Sequence, residues 1–274
     1  MQNPNSSVAK FGFIESGFIE WRTLQNNLNQ ATPNQIAQLQ PYSTKFQDVY
    51  YSSDNGLLET DYVFLQGNHL SLRWQHLQNS TFTIIETGFG TGLNFLCAVQ
   101  LWLTHSPKDA TLHFISTEKY PLSLHEITQA LQFWPELTNI SAPFLAQYAA
   151  LSPQNKSISL FDKRVQLTLL IGDATESLAK IQTSADAWFL DGFSPAKNPQ
   201  MWQPALFTQM ARLSNPTSTF ATFTSAGAVK RGLQAAGFQV NKQAGFGKKR
   251  EMLTGYFLGD SASNNHKSEN TSER

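Results

Sequence analysis

The chain has 274 residues, 41% hydrophobic and 15% charged, enough for one large α/β domain with an ample core and too few for three ordinary domains. Lys plus Arg balance Asp plus Glu at 20 each, which excludes a protein that coats nucleic acid by bulk charge and leaves room for a local basic patch. No apolar run approaches the ~18 residues of a membrane span, no basic and apolar leader opens the chain, and the single cysteine, Cys97, allows no internal disulfide, so the expected compartment is a reducing cytoplasm.

In chain order, FGFIESGFIEW (11–21) reads as a short hairpin turning at Glu15-Ser16-Gly17. The Gln/Asn-rich stretch 25–40 reads as a surface connection without chemistry. FQDVYYSSDNGLLETDYVFL (46–65) alternates aromatic and polar residues around Asp54-Asn55-Gly56, a turn signal between short strands or loops. The rhythm then changes to strands alternating with helices. Strands are expected at TFTIIE (81–86), LHFISTE (112–118), VQLTLLIGD (165–173), AWFLD (187–191) and TFATFT (219–224), with helices near 93–103, 123–133, 174–182, 204–213 and 225–237 between and after them. FQVNKQ and MLTGYFL follow with only a short loop between them, and so form an antiparallel pair.

This order predicts a doubly wound, mostly parallel sheet covered on both faces. The expected organisation is an N-terminal extension over 1–65, the main domain over 66–260 and a disordered polar tail over 261–274. The terminal hairpin is distinctive. A nicotinamide-binding sheet continues in βα units, whereas class I S-adenosylmethionine-dependent methyltransferases end in a hairpin that inserts one reversed strand into a seven-stranded sheet.

Directly after the first strand comes ETGFGTGLNF (86–95). Glycines at 88, 90 and 92 allow positive φ and close backbone approach, while the following helix offers unpaired N–H groups and the positive end of its dipole. The dinucleotide fingerprint GxGxxG requires glycine at 93, where this chain has Leu93. Acidic residues end four strands: Glu86, Glu118, Asp173 and Asp191. Open α/β sheets bind ligands at the carboxyl ends of their strands, so these four acids are expected on one rim. Glu118 suits two ribose hydroxyls, Asp173 an adenine amino group, and Glu86 the ammonium of a methionine moiety. Carboxylates stabilise a sulfonium and repel a pyrophosphate, so the set favours S-adenosylmethionine, bound by Glu86, Gly88, Gly90, Gly92, Glu118 and Asp173, over NAD.

DAWFLDGFSPAKNPQMW (186–202) follows the fourth strand, where the acceptor is expected. An alkyl amine is protonated near its reference value of ~10.4 and must lose a proton before it attacks; Asp191 is placed to orient it and take that proton. Phe193 and Pro195 shape the acceptor pocket, and Trp202 serves equally as an acceptor wall or as an anchor for the next helix. GFGKKREM (245–252) sets Phe246 beside Lys248, Lys249 and Arg250, a stacking residue next to a phosphate-binding cluster. The six histidines show no ligand spacing, so no metal is expected.

The blocks DVYYSSDNGLLETDYVFL, ETGFGTGLNF, HFISTEKYPL, DAWFLDGFSPAKNPQMW, ATFTSAGAVKRGLQAAGF and GFGKKREML, in this order, resemble the methyltransferase domain of the bacterial bifunctional tRNA-modification enzyme MnmC, called MnmD where it stands alone. The resemblance covers 46–258 and implies methylation of 5-aminomethyl-(2-thio)uridine at the tRNA wobble position. It implies the tRNA anticodon loop as partner, and an FAD-dependent oxidoreductase that supplies the amine, with no FAD in this chain. The other functions open to the sequence are methylation of a different amine, a nicotinamide-dependent oxidoreductase, and a non-catalytic RNA-binding module.

Overall fold

The computed structural model describes residues 18–23, 39–51 and 55–259. Strands β1 (Ile19–Thr23), β2 (Leu39–Ser43) and β3 (Asp48–Val49) form a small antiparallel sheet in the order β1-β2-β3. The expected turn at 15–17, the segment 24–38 and the tail 261–274 lie outside the described residues.

The Asp-Asn-Gly signal begins a helix rather than joining two strands. The Asn55 side chain accepts the N–H of Leu58 and so caps α1 (Gly56–Thr60), which runs straight into a π-helical segment, Asp61–Gln66. Asx residues serve turns and N-caps through the same side-chain acceptor, and here the cap prevails because Val63, Phe64 and Leu65 drop into the main core. These three residues stand on the N-terminal side of the expected boundary at 65/66.

Helix α2 (Leu70–Gln75) leads to β4 (Thr81–Thr87), α3 (Leu93–His105), β5 (Thr111–Glu118), α4 (Leu124–Leu131) and α5 (Thr138–Tyr148). Then come β6 (Ser157–Leu160), β7 (Val165–Ile171), α6 (Ala174–Leu178), β8 (Ala185–Leu190), α7 (Pro204–Arg212), β9 (Ser214–Thr222), α8 (Gly227–Ala235) and the hairpin β10 (Phe238–Ala244) and β11 (Glu251–Phe257). The order across the large sheet is β10-β11-β9-β8-β4-β5-β7-β6. β7, β5, β4, β8 and β9 run parallel, and β11 is inserted antiparallel between β9 and β10. This is the class I methyltransferase sheet with one strand more than expected: β6 adds antiparallel to the edge at β7. No described helix is long and apolar enough to cross a membrane.

β4 sits at the centre, and its residues 82–87 are all buried. Neighbouring residues serve opposite faces: Ile84 packs among Trp102, Phe95 and Phe144, whereas Ile85 packs among Trp188, Phe207 and Leu233. Burial of such aliphatic side chains on both faces, worth ~1.5–3 kcal/mol each, makes the strand read as one apolar run. Glu86 is the exception within it. The carboxyl ends of β4, β5, β7 and β8 meet along one edge, and the acids expected from the sequence, Glu86, Glu118, Asp173 and Asp191, stand at or just beyond them.

Candidate active site

Residues 88–92 turn between β4 and α3 with left-handed backbone at alternate positions: φ is 81° at Gly88, 53° at Gly90 and 77° at Gly92. The turn is pinned to β5. The N–H groups of Gly88 and Phe89 donate to the Thr117 carbonyl at 2.9 and 3.2 Å, and that of Gly90 donates to Glu118 Oε2 at 3.0 Å. Gly92 caps α3, and no side chain accepts from the first turn of that helix, which therefore offers its N–H groups to a ligand anion. At Gly88 a Cβ would stand 3.0 Å from the Gly192 Cα, so the turn after β4 and the turn after β8 touch with room only for glycine.

Glu118 also accepts the Tyr120 N–H on Oε1 at 2.8 Å, so each carboxylate oxygen keeps a lone pair for a hydroxyl donor. Burial raises its proton affinity against the pull of these backbone N–H groups. Asp173 has three partners already: Oδ1 accepts from Thr175 N and Glu176 N as the N-cap of α6, and Oδ2 pairs with Lys119 at 3.3 Å.

Glu86 lies elsewhere. Fully buried, it accepts Ser116 Oγ at 2.6 Å and Asn94 Nδ2 at 3.0 Å, and burial lifts its proton affinity well above the usual carboxylate range. Asn94 Nδ2 also donates to Asp191 Oδ2 at 2.6 Å, and the Gly192 N–H donates to Oδ1 at 2.8 Å. Asp191 is pushed up to about 7, first by burial and further by the charge of Glu59, with the Gly192 and Asn94 hydrogen bonds and Lys249 opposing.

Most of these residues border a cleft of about 510 Å³. It is lined by Gly88, Gly90, Glu118 and Asp173, and also by Asp191, Phe193, Phe246, Lys248 and Lys249. Glu86, Gly92, Pro195 and Arg250 are not part of its wall. Glu86 is covered by Asn94, Gly92 faces the rings of Phe89 and Phe144, and Arg250 is exposed beyond the rim. Trp202 is an anchor: its indole is 6% exposed and donates to the Phe193 carbonyl at 2.9 Å.

Several wall residues carry no expectation from the sequence. Phe46 stacks on Phe193 at 4.6 Å, Tyr50 meets the same ring edge-on at 5.2 Å, and Asp48 accepts both the N–H and the hydroxyl of Ser194. The segment before α1 thus adds to the wall of the cleft, and its Tyr50 ring lies against the glycine turn, 3.3 Å from where a Cβ on Gly90 would stand. Glu59 on α1 holds Lys249 Nζ at 2.6 Å, with that ammonium 4.3 Å above the Phe223 ring. Asn94 was legible only as a polar residue interrupting the apolar face of LNFLCAV.

A family model described as S-adenosyl-L-methionine-dependent methyltransferase matches residues 135–257. Over those residues the chain is similar to the S-adenosyl-L-methionine-dependent methyltransferases. The chain is 56% identical over 218 residues to the tRNA 5-methylaminomethyl-2-thiouridine biosynthesis bifunctional protein MnmC of Methylobacillus flagellatus, covering 80% of this chain and 34% of the relative. The protein of the same name from Chromobacterium violaceum is 55% identical over 218 residues, covering 79% and 33%. The chain therefore spans about a third of the length of the curated relatives it matches. Among solved structures, MNMC2 from Aquifex aeolicus superposes with a TM-score of 0.68 at 21% identity, covering 90% of this chain and 72% of that one, a likeness of fold.

Proposed function

We propose that this methyltransferase transfers a methyl group to the primary amine of 5-aminomethyl-(2-thio)uridine at the tRNA wobble position, giving the 5-methylaminomethyl derivative. The observation that carries this reading is Asp191. It is a carboxylate with proton affinity near neutrality, in van der Waals reach of the glycine turn through Gly192 and on the same cleft as a lysine-bearing rim. The names of the relatives, proteins of 5-methylaminomethyl-2-thiouridine biosynthesis, support the same substrate.

S-adenosylmethionine supplies an electrophilic methyl group on a sulfonium. The first turn of α3, which has no side-chain cap among the described residues, suits its carboxylate, and the spare lone pairs of Glu118 suit its ribose hydroxyls. Asp173 lines the same cleft. Asp191 hydrogen-bonds the incoming ammonium, takes a proton from it and leaves the nitrogen lone pair directed at the donor. Alignment of donor and acceptor contributes most of the acceleration. Phe193, flanked by Phe46 and Tyr50, offers a flat face to a splayed base, and Phe246 with Lys248 and Lys249 meets the anticodon-loop backbone. Pro195 and Arg250 act outside the cleft, on the loop shape and the rim charge. An oxidoreductase acting on the carboxymethylated amine is the class of reaction that supplies this substrate.

Labelled S-adenosylmethionine with tRNA from cells lacking the final methyl step tests the proposal. Label in the wobble nucleoside is expected. Its absence there, with label entering a protein or small amine instead, overturns the substrate assignment.

A further inference from the structure

We infer that Asn94 is a positioning residue for the acceptor chemistry: its side-chain amide donates one hydrogen to Glu86 and the other to Asp191, and so aims the Asp191 carboxylate at the cleft. The inference rests on Asp191 being the group that receives the amine proton.

The geometry leaves Asn94 one orientation. Nδ2 stands 3.0 Å from Glu86 Oε1 and 2.6 Å from Asp191 Oδ2, and Oδ1 accepts the Thr60 hydroxyl at 2.8 Å. Turning the amide over would set its oxygen against two carboxylates, so the donor side is fixed. Each partner is itself held: Glu86 by Ser116 Oγ at 2.6 Å, and Asp191 by the Gly192 N–H at 2.8 Å. The amide is 9% exposed, the Glu86 side chain is fully buried, and a hydrogen bond between charged and neutral groups is strongest where water is excluded.

Glu86 thereby acquires a role other than contact with the donor. It occupies the second amide hydrogen, which stops the amide rotating away from Asp191. Asn94 lies in the first turn of α3, the helix end proposed to receive the donor carboxylate, so one turn of backbone fixes both halves of the reaction. Thr60 ties the arrangement to α1, the helix that also carries Glu59.

The charges that face Asp191 come from several elements. Glu59 on α1 raises its proton affinity and Lys249 on the β10–β11 loop lowers it. Glu86 on β4 lies beyond the amide and is itself raised by Asp191 and by Glu118 on β5. Deleting the amide removes a donor from both carboxylates without altering any charge, so both acids hold their protons more tightly.

Asn94→Ala and Thr60→Val are the test variants, compared with the wild type by melting temperature, S-adenosylmethionine affinity, and the pH profile of kcat on aminomethyl-bearing tRNA. The expected result for Asn94→Ala is a kcat lower by about tenfold to a hundredfold, with the acid limb about one pH unit higher and donor affinity largely kept. Thr60→Val, which loses only the hydroxyl that fixes the amide, is expected to move the limb in the same direction by less, and it decides the matter if Asn94→Ala does not fold. A lower kcat with an unmoved acid limb means a merely structural role and overturns the inference. Carbon-13 titration of the Asp191 carboxyl in protein without substrate separates this from the substrate assignment. A midpoint raised in the variant supports the positioning role even if tRNA is not methylated, and an unchanged midpoint refutes it.

Discussion

Asp191→Asn is the substitution that separates chemistry from binding. The carboxylate takes one donor on each oxygen, Asn94 Nδ2 at 2.6 Å and the Gly192 N–H at 2.8 Å. An amide at this position offers one acceptor oxygen, so one of the two donors meets an NH2 group instead, at a cost of ~1–3 kcal/mol. A second effect opposes it. The folded-state proton affinity of Asp191 is raised to about 7, so its contribution to stability is fully present below the unfolded value and is lost as pH rises through about 7. At pH 8 the substitution removes a half-buried ionised group. The two effects offset, and the melting temperature at pH 8 is expected to stay within about 4 °C of the wild type. Turnover has no such compensation, because an amide cannot take a proton from the ammonium, and kcat is expected to fall by ~10²–10⁴-fold. The wild-type kcat/KM is expected to rise with pH through about 7, the limb at which Asp191 ionises, and this limb should vanish in the variant. Single-turnover methyl transfer from labelled S-adenosylmethionine measures both, with donor affinity measured by calorimetry. Turnover within about an order of magnitude of wild type, with the acid limb intact, would refute the role of Asp191 as proton acceptor.

Three further substitutions probe the walls of the cleft. Gly88→Ala forces a side chain onto φ 81° with its Cβ 3.0 Å from Gly192 Cα; a stability loss of about 2 kcal/mol or more and weaker methyl transfer are expected, and a denaturant midpoint equal to wild type would contradict the crowding. Glu118→Ala removes the acceptor of the Gly90 and Tyr120 N–H groups together with two hydroxyl acceptors, so S-adenosylmethionine affinity should drop by ~10–100-fold in calorimetry, while an unchanged Kd would detach Glu118 from the donor. Replacing Lys248 and Lys249 together with Ala should weaken tRNA binding and reduce the slope of log K against log salt by about 1 to 2, with donor affinity unaffected; an unaltered slope would exclude phosphate contact at this rim.

The parallel core was legible in the sequence because burial on two faces leaves an apolar run such as TFTII, and the glycine turn because three positive φ values demand residues without Cβ. The missed elements lack such marks. β6 has four residues, and its turn to β7 uses left-handed Phe161, Asp162 and Lys163, of which only Asp162 is a residue type that marks turns. α5 carries Pro143 in its interior, which argues against a helix in any local reading. In the site, acids at strand ends marked the edge, but their type did not separate Glu86 from Asp191. That difference comes from Asn94, eight residues from one in the chain and 97 from the other. The wall made by Phe46, Asp48 and Tyr50 depends on contacts with Phe193 and Ser194, about 146 positions away for Asp48, which no local pattern encodes.

The electrostatics of the cleft follow from what these acids lack. Glu86, Glu118 and Asp191 are all raised, in each case chiefly by burial, and their hydrogen bonds lower the proton affinity without cancelling that effect. Buried carboxylates of this kind are costly when ionised, and a cation placed among them recovers Coulomb energy that water would otherwise screen. The proposed ligands are both cations, a sulfonium and an ammonium. Binding either one must favour the ionised acids, and by linkage the ionised acids must bind either one more tightly. Donor affinity should therefore rise with pH over the range in which Asp191 loses its proton, and the donor should in turn draw that proton off at lower pH. The bound donor thus makes the neighbouring base available before the amine arrives.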